Sequence, residues 1–333
     1  MLKKILLCVL VALLVLGFVG CGKDTEVESP SESPATQNPI DAMTFEFTST
    51  DGVNEVYQLT DSNQIMSYMI KTKAGKLIMI DGGYERNYTE IVALARFLTG
   101  DAVPEIEAWF FSHSHGDHVN AFSELMLRQK GLLTVNKIYH HFTSEAYVKA
   151  EEEGNLKNFR QILAAVKSCD PTGSKTFVVE QGDVITVDSA KVEVMLVPDE
   201  SAQMIVGGVA INEASVIYRM TLDNQRIMFL GDAYEVAGSR LLAAWDDLGA
   251  EIVQMAHHGS QGVQRDVYAA IAPKVCLWPT PKWLWENDPG SGYNTGSWET
   301  ITLHRYMEHT LNVEHHYVAK DGLQQLVFPL NLD

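Results

Sequence analysis

Residues 108–118 read AWFFSHSHGDH, an apolar run followed directly by three histidines and an aspartate. The apolar residues predict a short buried strand, which places the polar residues in the loop at its C-terminal end. Imidazole nitrogens and carboxylate oxygens are the ligands that proteins offer to zinc, iron and manganese. The spacing therefore predicts a metal site built from His113, His115, Asp117 and His118, the alternative being a polar loop whose histidines bind nothing.

The segments on either side of this loop predict alternating strands and helices. Strand-like segments form two groups, one over residues 45–140 and one over residues 175–328. Helix-like segments between them carry apolar residues three and four positions apart, as over residues 88–98. A hairpin is indicated where Asp223 and Asn224 separate two apolar segments. This order predicts an α/β (α+β) fold, with two sheets sandwiched between helical layers.

The N-terminal residues predict export from the cytoplasm. Lys3 and Lys4 precede an almost wholly apolar run over residues 5–19, which is the layout of an export signal. The segment resembles a bacterial lipoprotein signal, in which Cys21 would become lipidated after cleavage of residues 1–20. An uncleaved anchor is the alternative, although a run of about 15 residues is short for a spanning helix of about 20. We therefore expect an extracytoplasmic protein held to the bacterial cell membrane by a lipid anchor only.

The residues after the signal predict a tether followed by one domain. Residues 21–42 are rich in Ser, Pro, Glu and Thr, so they cannot bury enough apolar surface to offset their ordering entropy. We interpret them as a flexible tether and residues 43–333 as one folded domain. Cys169 and Cys276 are far apart in sequence, which favours two free thiols over a disulfide framework.

The charge of the chain restricts its partners. The formal net charge is −18, and no run of Lys and Arg is present. Because an acidic surface repels nucleic-acid phosphates, a long nucleic acid is disfavoured. The expected partner is a small molecule or a component of the cell envelope.

The H-x-H-x-D-H motif after an apolar strand resembles that of the metallo-β-lactamase superfamily. Further segments fit in order: D-G-G at residues 81–83 resembles the turn that supports the metal loop, and L-G-D-A at residues 230–233 resembles the segment with the bridging aspartate. H-H-G-S at residues 257–260, with Asn212 and Ser215, is similar to the branch containing the hydrolase domain of competence proteins and bacterial phosphorylcholine esterases. The resemblance implies an αββα sandwich of two mixed sheets between helical layers.

The resemblance covers about residues 50–330 and implies a site with two divalent metal ions, expected to be zinc, with manganese and iron as alternatives. The residues it implies as ligands are His113 and His115 for one metal, Asp117 and His118 for the other, Asp232 as the bridge, and His257 or His258 to complete a site. The remaining histidine of that pair would hydrogen-bond substrate or leaving group. The catalytic candidates are Asp117, His257 and His258. Asp81, Asn212 and Ser215 would support the site.

Two departures from the family pattern bear on the site. The superfamily usually has another metal-binding histidine before the bridging aspartate, but residues 194–199 read VMLVPD. One metal would therefore have fewer protein ligands and more open positions. The branch also commonly has a His-Pro pair near the C-terminus, where residues 293–298 read YNTGSW.

Histidines and aromatic residues outside these motifs are candidates for substrate contact. His140 and His141 follow a predicted strand, and they either face substrate or form one packed and one exposed ring. Aromatic faces attract quaternary ammonium and sugar ligands, although the same residues can simply cover the core. The aromatic candidates are Trp283, Trp285, Tyr293 and Trp298.

The sequence thus predicts a metal-dependent hydrolase. Two cations lower the pKa of a water held between them and stabilise negative charge on a substrate oxygen. A phosphodiesterase fits best, because two metals suit an in-line displacement at phosphorus. The alternatives are a lactonase or amidase of the same superfamily, and a surface binding lipoprotein that holds metal without turnover.

Overall fold

The computed structural model describes residues 39–151, 153–201 and 209–332. The predicted signal over residues 1–20, Cys21 and the tether up to residue 38 lie outside the described residues. Ile40 is buried against the core that contains the helix over residues 88–99, so the end of the predicted tether packs against the domain. In the described part of the chain, no helix has the length and apolar character needed to cross a membrane.

Strands and helices follow one another much as the sequence predicts. The strands are β1 (Asn54–Gln58), β2 (Ser67–Lys71), β3 (Leu77–Asp81), β4 (Glu105–Phe110), β5 (Thr134–Val135), β6 (Ile138–His140), β7 (Thr176–Val178), β8 (Val184–Val187), β9 (Ala190–Leu196), β10 (Ile217–Leu222), β11 (Gln225–Phe229), β12 (Ile252–Gln254), β13 (Val275–Trp278), β14 (His315–Val318) and β15 (Gln324–Phe328). The helices are α1 (Tyr88–Thr99), α2 (Gly116–Leu127), α3 (Glu145–Glu151), α4 (Leu156–Cys169), α5 (Ala210–Glu213), α6 (Glu235–Ala244), α7 (Arg265–Ile271), α8 (Lys282–Trp285) and α9 (Thr300–His309).

The strands form two mixed sheets. The order in the first sheet is β15-β1-β2-β3-β4-β6-β7, with β5 beside β4, and in the second it is β14-β13-β12-β11-β10-β9-β8. In the first sheet β3, β4 and β6 are parallel, whereas β1, β2 and β3 are antiparallel. In the second sheet β11, β12 and β13 are parallel, whereas β9, β10 and β11 are antiparallel. The predicted pair of mixed sheets is confirmed.

Three apolar layers hold the sheets and helices together. Side chains of both sheets, such as Tyr68 and Phe229, meet in a shared central core. A second core packs α1, α2 and α4 on the outer face of the first sheet, and a third packs α6, α7 and α9 on the outer face of the second. Full burial of one large apolar side chain contributes about 1.5–3 kcal/mol. The order helix, sheet, sheet, helix confirms the predicted αββα sandwich.

Local predictions can be compared with the structure at three places. Asp223 and Asn224 have φ of 48° and 64°, as a type I′ hairpin turn requires. The first group of strand-like segments, predicted to start at residue 45, starts later at β1: residues 45–47 form no strand, and the rings of Phe45 and Phe47 pack against the ring of Phe97. Both body cysteines are free thiols, as predicted.

The topology brings the polar motifs to one edge of the sandwich. The parallel strands β3 and β4 end beside each other, and so do β11 and β12. Asp81 ends β3, the histidine motif follows β4, Asp232 follows β11, and the histidine pair follows β12. Four segments distant in sequence therefore meet at the carboxyl ends of these strands.

Candidate metal centre

The histidine motif is a loop that opens helix α2. His115 is the extended residue before the helix, with φ of −68° and ψ of 152°, and Asp117 lies in the first turn. A carboxylate is favourable there because the N-terminus of a helix carries partial positive charge. A side chain at position 116 would have to displace two asparagine side chains, since a Cβ there would lie 2.6 Å from Asn120 Nδ2 and 2.9 Å from Asn158 Nδ2.

One group of candidate ligands consists of His113, His115 and Asp232. Their ligand atoms all lie within 4.8 Å of one another. His113 Nε2 is 3.1 Å from His115 Nδ1 and 3.8 Å from Asp232 Oδ2. We call this group the first ligand set.

A second ligand set consists of Asp117, His118 and His258, again within 4.8 Å of one another. His258 Nε2 is 3.3 Å from Asp117 Oδ2 and 3.4 Å from Asp232 Oδ2. His118 Nε2 is 3.2 Å from the same Asp232 oxygen. Asp232 Oδ2 therefore faces both ligand sets, as a bridging carboxylate would.

Several buried polar atoms of this cluster have no hydrogen-bond partner in the described part of the chain. Across the described ranges, the buried atoms without a hydrogen-bond partner include His118 Nε2, Asp232 Oδ1 and both ring nitrogens of His258. A buried carboxylate is costly unless positive charge or hydrogen bonds compensate it. The imidazole and carboxylate donors match zinc, iron or manganese. The residues present therefore fit two divalent cations.

The pKa values in the cluster reflect its buried charges. Burial lowers the pKa of His118, but the Asp232 and Asp81 carboxylates outweigh it and raise that pKa well above its usual value. His258 behaves likewise, and Asp232 and Asp117 raise its pKa to about 9. Burial would raise the pKa of Asp232, yet His118 and His258 hold it well below its ordinary range. Protons on two histidines thus supply the positive charge, and a bound metal would displace them.

Asp81 orients one histidine of the second ligand set. Its carboxylate accepts hydrogen bonds from His118 Nδ1 at 2.7 Å, from Ser112 Oγ at 2.6 Å and from the Ser112 amide at 2.8 Å. The Nδ1 contact leaves His118 Nε2 directed at Asp232. A carboxylate behind a ligand histidine fixes the ring and its tautomer.

Asp81→Asn is expected to weaken metal binding by about 10- to 100-fold, because His118 would lose its orienting carboxylate. The measurement is the zinc dissociation constant of the metal-free protein, determined by calorimetric titration. Asp246→Asn, at an exposed aspartate, is the matched control and should bind as wild type does. Equal affinities for both variants would contradict the orienting role of Asp81.

Ser215 and Asn212 contribute to the site in different ways. Ser215 Oγ accepts a hydrogen bond from the Asp232 amide at 3.1 Å and lies 3.3 Å from His113 Nδ1. The Asn212 carbonyl accepts the Ser215 amide at 3.0 Å, whereas its buried side-chain oxygen has no hydrogen-bond partner among the described residues. Asn212 therefore supports Ser215 through its main chain.

Sequence reasoning missed several residues that brace the cluster. Gln254 Oε1 accepts the amides of Leu230 and Gly231, each at 2.8 Å, and so fixes the turn before Asp232. Asn155 Nδ2 lies 3.4 Å from His115 Nε2, on the side of the ring away from His113. A polar residue within the apolar strand β12 was a usable signal for Gln254. No local pattern distinguishes Asn155.

The two histidines of the H-H-G-S segment occupy different places. His258 is buried and belongs to the second ligand set. The side chain of His257 is 27% exposed, and its Nε2 lies 4.0 Å from Asp232 Oδ2. His257 and His258 both have positive φ, of 46° and 55°, which turns the two rings in different directions.

The six candidate substrate residues make contacts elsewhere. His140 stacks on Phe142 with centroids 4.5 Å apart, burial lowers its pKa to about 4, and His141 Nδ1 lies 2.6 Å from the Val179 carbonyl oxygen. Trp283 pairs with Trp298 at 5.0 Å, Trp285 packs on Trp278 at 5.3 Å, and Tyr293 is 67% exposed. Within the part of the chain described, none of these contacts reaches the ligand sets, and substrate contact by these six residues stays a prediction.

Comparisons with known proteins give one family and several structures of similar fold. The family described as the Metallo-beta-lactamase superfamily matches residues 60–272. No curated protein sequence matches the chain. The metallo-β-lactamase fold protein YhfI from Bacillus subtilis is similar at 12% identity and a TM-score of 0.49, covering 82% of this chain and 100% of that one. CmlA, a diiron β-hydroxylase from Streptomyces venezuelae, is 11% identical with a TM-score of 0.47, covering 83% and 54%. A diphosphatase of the PhnP family is 12% identical with a TM-score of 0.42, covering 83% and 99%.

Proposed function

Because the chain belongs to the metallo-β-lactamase superfamily, we propose that it is a metal-dependent phosphodiesterase acting on a small or cell-envelope substrate. The observation that supports this proposal is the position of Asp232 Oδ2, which faces both ligand sets. Two divalent cations would lower the pKa of a water and neutralise charge on the attacking and leaving oxygens of an in-line displacement.

The candidate ligands divide between two proposed metal positions. His113 and His115 would hold one cation, and Asp117, His118 and His258 would hold the other, with Asp232 shared. The first position has fewer protein ligands, because no histidine occupies residues 194–199. A catalytic metal site keeps at least one coordination position open for water or substrate oxygen besides its protein ligands.

Asp117 is the carboxylate best placed to meet substrate water. Its side chain is 15% exposed, whereas that of Asp232 is 2% exposed. Asp117 would therefore be able to accept a hydrogen bond from an attacking water at the mouth of the site, and it would also be one of the residues that hold the second cation. The low pKa that His258 imposes, against the raising effect of burial, keeps this carboxylate ionised and able to accept.

The test is hydrolysis of bis-p-nitrophenyl phosphate by protein loaded with zinc, manganese or iron. We expect turnover that depends on metal and falls sharply in Asp117→Ala, with Asp246→Ala as the exposed control. A panel with lactones, amides and β-lactams separates the other hydrolases of the superfamily. Stoichiometric metal with no turnover of any phosphodiester would overturn the proposal and favour a binding protein.

We also propose that the protein acts outside the cytoplasm on a lipid anchor at Cys21. The support is the sequence alone, in which the apolar run over residues 5–19 leads to this cysteine. Labelled palmitate should enter wild type and Cys169→Ser but not Cys21→Ser. Labelling of the Cys21→Ser variant equal to that of wild type would refute this localisation.

A further inference from the structure

The two proposed metal positions are unequal in protein ligands. The second ligand set has three residues of its own besides the shared Asp232, whereas the first has only His113 and His115 besides it. We propose that His257, through Nε2, supplies the missing ligand of the first position, so that the adjacent histidines of the H-H-G-S segment serve different metals. This inference rests on the proposed two-metal centre.

Hydrogen bonds around His257 assign the tautomer of its ring. Tyr234 Oη lies 2.9 Å from His257 Nδ1 and donates to Gln261 Oε1 at 3.1 Å. Ser260 Oγ also lies 2.9 Å from Nδ1 and donates to the His257 carbonyl at 2.8 Å. Each hydroxyl has a single proton, and both protons are used in these bonds. All groups are satisfied when Nδ1–H donates to the hydroxyl oxygens, which leaves a lone pair on Nε2.

The nitrogen that carries this lone pair lies near an anion. His257 Nε2 lies 4.0 Å from Asp232 Oδ2, the oxygen that faces both ligand sets. An imidazole lone pair and a carboxylate repel each other unless a cation lies between them. A ligand histidine typically donates its other N–H to a nearby acceptor, as Nδ1 does here. The ring therefore has the tautomer of a metal ligand, and its Nε2 lies beside the shared carboxylate.

The backbone holds both rings in this arrangement at an energetic cost. His257 and His258 have φ of 46° and 55°, a region that is unfavourable for a residue with a side chain. Gly259 continues the turn with φ of 75°, and a Cβ there would lie 2.5 Å from the ring of Trp278. Such strain persists where the surrounding structure fixes it, and it is concentrated at functional sites.

A proton donor to the leaving group is the competing role for His257. That role needs a proton on Nε2, whereas the hydrogen bonds place the ring proton on Nδ1. The two roles also differ in what a substitution changes. Loss of a ligand weakens metal binding, but loss of a proton donor slows turnover and leaves metal binding intact.

The experiment titrates the metal-free protein with Co²⁺, following heat and the visible absorption of the bound ion. The variants are His257→Asn and the matched His258→Asn, since asparagine tolerates positive φ. We expect two Co²⁺ per wild-type chain. In His257→Asn one ion should bind as before and the other at least about 100-fold more weakly, more than the loss from an orienting residue. His258→Asn should leave Co²⁺ binding at the first position intact and weaken binding at the second. Its visible spectrum should therefore differ from that of His257→Asn.

A third variant and two outcomes complete the test. Tyr234→Phe should weaken only the position affected by His257→Asn, by about 10-fold, because Tyr234 merely orients the ring. Two Co²⁺ bound to His257→Asn with wild-type affinity and spectrum would overturn the ligand assignment, and lost turnover in that protein would identify a proton donor. Wild type that binds two Co²⁺ but cleaves no phosphodiester would refute the proposed function alone, since the affinities still decide the role of His257.

Discussion

Asp232→Asn should lower the hydrolysis of bis-p-nitrophenyl phosphate by about 1000-fold or more. The carboxylate oxygen lies 3.8 Å from His113 Nε2, 3.2 Å from His118 Nε2 and 3.4 Å from His258 Nε2, so its charge serves both proposed metal positions. An amide keeps the shape but removes the negative charge that would hold the cations together. Metal ions contribute several kcal/mol of transition-state stabilisation, and a loss of about 4 kcal/mol corresponds to about 1000-fold in rate.

The comparison needs steady-state kinetics and metal analysis on the same samples. Asparagine retains the main-chain amide that donates to Ser215, so the turn around residue 232 should keep its shape. Asp246→Asn is the control for the loss of one negative charge on the exposed surface. An Asp232→Asn protein that keeps both metals and more than a tenth of the activity would show that this carboxylate is not the bridge.

The sequence predicts those parts of the site whose residues are close together along the chain. His113, His115, Asp117 and His118 lie within six residues, from the loop after β4 into the first turn of α2, so the local pattern alone brings them together. The two-sheet sandwich followed from strand and helix spacing. The place of Asp232 came from the family resemblance, because only the packing of one sheet on the other brings this residue, which follows β11, to the histidine motif that follows β4.

The remaining features depend on backbone conformation and long-range contacts. The sequence cannot separate His257 from His258, since two consecutive residues with positive φ decide which ring enters the second ligand set. Asn155 reaches His115 from the start of α4, 40 positions away. Asn212 acts through its carbonyl, which a side-chain pattern does not reveal. In each case the determining fact is a tertiary contact or a strained turn.

Removal of metal should lower the melting temperature of the protein by about 10 °C or more. Without cations, the cluster buries the Asp232 carboxylate beside His118 Nε2 and the ring nitrogens of His258, which have no hydrogen-bond partner among the described residues. A ligand present at 100 times its dissociation constant stabilises the folded state by about 2.7 kcal/mol, so two independent sites contribute about 5 kcal/mol. Each kcal/mol shifts the melting temperature of a domain of this size by about 2–4 °C.

Calorimetric scans of wild type with zinc, after chelation and after zinc is restored measure this shift. The Asp117→Ala, Asp232→Asn double variant is the matched control, because it lacks a carboxylate of the second ligand set and the shared carboxylate. Its melting temperature should hardly respond to the chelator, whereas wild type should lose stability and regain it with zinc. An unchanged wild-type scan after complete zinc removal would mean that the cluster is stable without cations, and that protons on His118 and His258 suffice to balance its carboxylates.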